Sequence, residues 1–199
     1  MPRTEQTNTA ERILEVAQDL IQRRGYNAIS FEDIAKKVGI KKPSIVHHYA
    51  SKAALGRAVV RRYRSNFSSM LDDIARDPEK TAADALAFYF VPYLDFGATK
   101  DKICLCGALS GEFMALPKTM QTEVAAFFQD HQSWLEGILR RGRENKELQV
   151  VDEDPAAAAA WILDALHGSL IIKRATNDPG HVQRLVDSLK AKYIRSSSG

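Results

Sequence analysis

Apolar residues recur along this chain at helical spacing from end to end, and the pattern predicts helices only. The first helix is capped by Thr9 and runs to Arg24, with Ile13, Val16, Ala17, Leu20 and Ile21 on one face. Glu11, Arg12, Glu15, Asp19 and Arg23 lie on the other face, and Gly25 ends the helix. Phe31, Ile34, Ala35 and Val38 then form a second stripe at i, i+3, i+4, i+7. Ser30 stands where an N-cap is needed, Asp33 three residues on completes a capping box, and Gly39 supplies the left-handed stop. A third, short helix spans Pro43 to Tyr49 and buries Ile45 and Tyr49; proline suits its first turn because the missing N–H would be unpaired there.

Six more helices follow. Ser51 caps one carrying Leu55, Val59, Phe67, Met70, Leu71 and Ile74, which stops at Asp77-Pro78. The next runs from Thr81 to Phe96, is kinked by Pro92 and ends at Gly97. Others span Asp101 to Ala115 and Lys118 to Asn145. Asp154-Pro155, N-cap then N1, opens a helix to Ala175. After the Asn177-Asp178-Pro179-Gly180 turn, the last carries Val182, Leu185, Val186 and Leu189. The expected fold is all-α, with about nine helices, and only Ser196 to Gly199 reads as disordered.

The second and third helices, joined by a tight turn, read as a helix-turn-helix. The third leaves Lys41, Lys42, Ser44, His47 and His48 for a partner, and a short, rigidly held helix exposing donors is what the DNA major groove accepts. Lys41, Lys42 and Lys52 are candidate phosphate contacts, with Ser30 able to add a hydroxyl or backbone N–H and His48 a further contact. Lys42, Ser44 and His47 are candidates for base edges, and Pro43 for a thymine methyl.

RILEVAQDLIQRRGYNAISFEDIAKKVGIKKPSIVHHYASKAAL resembles the DNA-binding domain of TetR-type bacterial repressors (the TetR/AcrR family). The resemblance rests on Gly25-Tyr26, the Ser-initiated helix with Ile34-Ala35, Val38-Gly39-Ile40, His48-Tyr49, and Ser51-Lys52 before Leu55. It covers about fifty residues closely, and the rest only in length and helical character. Two positions depart from the family pattern: Pro43 stands where a Gly is usual and Val46 where a Tyr is usual. That Tyr commonly touches a phosphate, a role Val46 cannot take and which falls to His47 or Lys42.

The resemblance implies a helix-turn-helix domain over 1–55 and a ligand-binding and dimerisation domain over 56–199. It implies a homodimer through the last two helices, double-stranded DNA with a palindromic operator as partner, and a small-molecule inducer. Dimerisation also fits the physics, because one helix-turn-helix reads too few base pairs alone. The expected function is a transcriptional regulator, a repressor that ligand releases from its operator by shifting a conformational population.

Charge supports a DNA-reading head. The chain of 199 residues carries a net +3, yet residues 1–64 hold thirteen Lys/Arg against six Asp/Glu, a net +7, and the remainder a net −4. No run of about eighteen apolar residues suggests a membrane span, and the polar N-terminus lacks a signal-peptide core, so a cytoplasmic location is expected with no membrane partner.

Other chemistry is weaker. Adjacent His47 and His48 do not face one another on a helix and no further ligand completes a metal site, so neither metal nor cofactor is expected. Cys104 and Cys106, at i and i+2 on a helix, read as core thiols; the alternative is a redox- or electrophile-responsive pair activated by Lys100 and Lys102. An inducer cavity is expected between the Pro92 helix and the Gly107-to-Gly111 segment. Its candidate lining is Phe67, Met70, Phe88, Tyr93, Phe96, Glu112, Phe113, His131 and Trp134. A thiol-dependent enzyme built on Cys104 or Cys106 with His131 has only residue types in its favour. There is no phosphate-binding Gly loop and no nucleophile elbow.

Overall fold

The structure, a computed structural model, describes residues 2–149 and 154–194, with side chains from Thr9 onward. Among them lie nine α-helices: α1 Pro2–Arg24, α2 Phe31–Val38, α3 Lys42–His48, α4 Lys52–Arg76, α5 Ala82–Ala98, α6 Leu105–Ser110, α7 Lys118–Glu144, α8 Pro155–Thr176 and α9 His181–Tyr193. A 3-10 turn, Phe113–Ala115, separates α6 from α7. The all-helical expectation holds. Ser196 to Gly199 fall outside the described residues.

The boundaries follow from caps where caps exist. Ser30 Oγ accepts the Asp33 N–H at 3.2 Å while the Asp33 carboxylate accepts the Ser30 N–H at 2.8 Å, and Gly39 at φ +80° closes α2 with its N–H on Ala35 O at 2.9 Å. Thr81 and Asp84 repeat the same box at the start of α5. Three helix boundaries differ from those expected. The first helix does not start at Thr9 but at Pro2, because nothing in the polar stretch before Thr9 breaks a helix. Gly97 does not end α5. It is buried one residue from the helix end, where an added Cβ would sit 3.0 Å from Val182 of α9, so it serves close packing and Thr99 is the C-cap. The stretch from Asp101 to Ala115 is not one helix. Residues 101–104 are irregular, the helix covers only Leu105–Ser110, and Gly111 stands in the turn that follows it.

The chain divides into two compact units: residues 1–65 with 105–127, and residues 66–104 with 128–199. The stretch 105–127 therefore belongs with residues 1–65, although thirty-nine residues separate the two in sequence. In the first unit Ile13, Ala17, Leu20, Ile21, Ile34, Val38, Ile45 and Val59 form a closed core. Arg12 Nη2 donates to Val38 O at 3.0 Å, placing a cation at the carbonyl end of α2. The Glu112 carboxylate accepts the N–H groups of Tyr26 and Asn27, both at 2.9 Å, holding the turn after α1. That turn starts at Gly25, φ +89°, where a Cβ would collide with Glu112 Oε1.

In the second unit α5, α8 and α9 pack around Leu86, Phe90, Leu166, Leu170, Val186 and Leu189, all at most 1 % exposed. Lys173 is buried and its ammonium donates to the carbonyls of Phe96 (3.0 Å), Lys100 (3.3 Å) and Thr99, at and just beyond the end of α5. Helix α8 is long and apolar enough by length and composition to cross a membrane, although polar residues interrupt its apolar run. Its buried face packs on α5 and α9 as a core helix does, while Trp161, Ile171 and Ile172 remain about half exposed.

Candidate nucleic-acid interface

Helix α3 is short and depends on its surroundings for rigidity. Ile45, with no exposed surface, pins it to the core, and the Tyr49 N–H closes its end on Ile45 O at 2.8 Å. Lys41 in extended conformation precedes it without a side-chain cap, and Pro43 occupies the first turn. The opposite side presents Lys41, Lys42, Pro43, Ser44, Val46 and His47 to solvent, with His48 half-buried. Tyr49 is only partly buried, less than expected. The rings of His47 and His48 meet edge-on, centroids 5.5 Å apart.

Three candidate residues are already engaged. Lys42 Nζ pairs with the Glu32 carboxylate of α2 at 2.5 Å, so the lysine of α3 carries an intramolecular counter-ion. Ser30 is held in its capping box, its Oγ 2.6 Å from Asp33 Oδ2; hydrogen bonds from Ser30 keep the Asp33 carboxyl below its ordinary pKa. Lys52 lies over the Tyr26 ring, 4.5 Å from its centroid, and partial burial lowers its pKa against the opposing pull of Glu112 and Asp33. Glu32 was not among the residues the sequence singled out, and Glu112 was expected in the inducer cavity instead. Neither the Glu32–Lys42 pair nor the Glu112 contact with Tyr26 and Asn27 follows from local spacing.

In the second unit the cavities differ from those expected. One of about 580 Å³ lies along α4 and α5, lined by Asn66, Ser69, Met70, Asp73, Ile74, Asp77 and Phe88. Another of about 440 Å³ lies along α4 and α7, lined by Ser68, Leu71, Asp72, Asp130, His131, Ser133 and Trp134. Met70 and Phe88 thus line the first, His131 and Trp134 the second. Phe67, Tyr93 and Phe96 line neither, and Glu112 and Phe113 belong to the other unit, where Glu112 serves as a backbone acceptor. Tyr89, fully buried, bonds His131 Nδ1 at 2.9 Å and stacks on Trp134 at 5.4 Å. Desolvation pushes the His131 pKa down to about 3, with His167 adding to the shift.

Cys104 precedes α6 and Cys106 lies within it, so the two do not share a helix as supposed. Both are buried, at 2 % and 0 % exposure, which removes the accessible thiol that activation by Lys100 and Lys102 required. Among the described residues no group of three or more His, Cys, Asp or Glu is placed to hold a metal ion.

A helix-turn-helix closed by a capping box and a left-handed glycine, followed by an all-helical body, defines a class of DNA-binding regulators. The description "Bacterial regulatory proteins, tetR family" matches residues 13–59, and "Tetracyclin repressor-like, C-terminal domain" matches residues 78–189. The chain is 28 % identical to a TetR-family transcriptional regulator from Agrobacterium tumefaciens over 96 % of its length and 100 % of that chain, TM-score 0.87. A TetR transcriptional regulator from Legionella pneumophila is 32 % identical, with 93 % and 96 % covered and TM-score 0.79. The HTH-type transcriptional repressor NemR of Escherichia coli K12 is 25 % identical over 140 residues, 69 % of this chain and 70 % of NemR. The chain belongs to the TetR family and is a DNA-binding transcriptional regulator.

Proposed function

We propose that the protein is a homodimeric repressor that binds a palindromic operator through α3 and leaves it when a small molecule occupies the second unit. The observation that carries this reading is the solvent-facing side of α3, polar and basic but for two residues, on a helix pinned by Ile45. Lys41, Lys42 and Lys52 supply phosphate attraction with Ser30 and His48 beside them. Ser44, His47 and Pro43 face the base edges. The half-exposed apolar stripe of α8, Trp161, Gly168 and Ile172, fits a two-fold seam between copies; a Cβ on Gly168 would meet nothing within 4 Å, leaving room for close approach. The cavities offer aromatic and aliphatic walls with carboxylates and suit an apolar or amphipathic ligand. A regulator of this kind works in the cytoplasm.

Binding selection from random duplex DNA, followed by affinity against salt for the selected site and a scrambled one, tests the reading. An enriched palindrome with a large specificity ratio is expected. Equal, steeply salt-dependent affinity for both would mean that the protein coats DNA without reading it.

A further inference from the structure

The exposed side of α3 carries one feature that the phosphate and hydrogen-bonding roles leave unused. Val46 is 43 % exposed, a large apolar side chain in the middle of a helix whose other exposed residues, Pro43 apart, are polar or basic. Ile45, its neighbour, is fully buried, so the helix is fixed in rotation and Val46 is held about 100° around from the anchor. Pro43 stands one turn before it, and Lys42, at i−4, is drawn to Glu32. Pro43 and Val46 thus make a small apolar step flanked by polar groups.

We propose that Val46 is a specificity-determining residue that reads the 5-methyl group of one thymine in each operator half-site. Valine offers no donor or acceptor, so contact with a phosphate would desolvate the phosphate for nothing in return. Of the groups that base pairs display in the major groove, the thymine methyl is the apolar one, and small apolar side chains contact it. Valine is also stiff. In a helix it holds one χ1 rotamer, so its two methyl groups keep fixed positions and ordering them costs little. Methyl recognition by Val46 adds discrimination at a base pair distinct from any that Pro43 contacts, because the two residues are a turn apart on the helix. The inference rests on α3 being the groove-reading helix.

Replacing thymine by deoxyuridine deletes that methyl alone and leaves base pairing intact. Each thymine of the selected operator is replaced in turn, and affinity is measured for the wild-type protein and for Val46→Ala. One thymine per half-site should lose roughly four-fold in affinity for the wild type on substitution, the worth of one buried methyl. Val46→Ala should weaken the thymine operator to a similar degree and be indifferent to uracil at that position, while uracil effects elsewhere persist. Val46 is exposed, so the variant should keep the wild-type melting temperature, and the uracil scan on the wild type needs no variant at all. A selection that enriches no site sinks the operator reading and this inference together. An enriched operator whose thymines all tolerate uracil, or whose uracil losses are unchanged in Val46→Ala, sinks this inference alone.

Discussion

Glu32 pairs with Lys42, the cation proposed to meet a DNA phosphate. The pair is exposed, 63 % and 54 % for the two side chains, so it contributes little to stability. Its carboxylate nevertheless sits beside the cation that a phosphate would want. Glu32→Gln should therefore tighten operator binding, about two- to five-fold at low salt and less at high salt, with the melting temperature nearly unchanged. Weaker binding in a salt titration would show that Glu32 itself contacts the DNA. His131 makes the second prediction. Its folded-state pKa is depressed to about 3, so between that value and about 6.5 the unfolded chain takes up a proton that the folded protein refuses. Stability must then fall as pH falls through this window, by about 2 kcal/mol from His131 alone between pH 7 and pH 5. Urea midpoints for the wild type and His131→Asn isolate the effect, because the variant should lack this part of the pH dependence. Of these residues, Lys42 and His131 stood out in the sequence by type; their partners, Glu32 and Tyr89, became visible only as contacts.

Several helix ends of this chain are anchored by side chains that reach them from elsewhere. Arg12 donates at the end of α2, Lys173 at the end of α5, and Arg141 of α7 donates to Ala75 O near the end of α4 at 2.8 Å. Each places a cation where helix carbonyls lack partners. Glu112 does the converse for the turn after α1, accepting two N–H groups from residues 86 and 85 positions away. Glu112→Ala should cost about 2 kcal/mol by removing two charge-assisted hydrogen bonds, measured by denaturant unfolding. A change under a few tenths would show that water replaces the carboxylate. Local caps were legible in advance, since Ser30–Asp33 and Asp154–Pro155 lie within one turn of the helices they start. The end of α5 and the break-up of 101–115 were not. Gly97 has the composition of a stop signal but the packing duty of a close contact, and the partner that decides between them, Val182, lies far along the chain.

Over the whole chain, charge and apolar surface divide the tasks. The first 64 residues hold the positive excess and the rest a net negative charge, and the largest exposed apolar side chain of α8 is Trp161, with Ile171 and Ile172 along the same helix. If α8 forms the seam between copies, Ile172→Asp puts like charges across a two-fold axis. The variant should run as a monomer in light scattering and lose most of its operator affinity, as each head then binds one half-site alone. A variant dimer of wild-type mass would place the seam elsewhere. What the sequence by itself determined was the local layer: helices from apolar periodicity, their starts from capping residues, and the helix-turn-helix from an ordered run of about fifty residues. These are interactions within three or four residues, and a short window contains all the groups that make them. Tertiary structure decided the rest. It joined 105–127 to residues 1–65, set Glu112 and Lys173 against distant backbone, placed the cavities along α4 and left Val46 in the open. Each of those outcomes depends on which segments meet, and no local window carries that information.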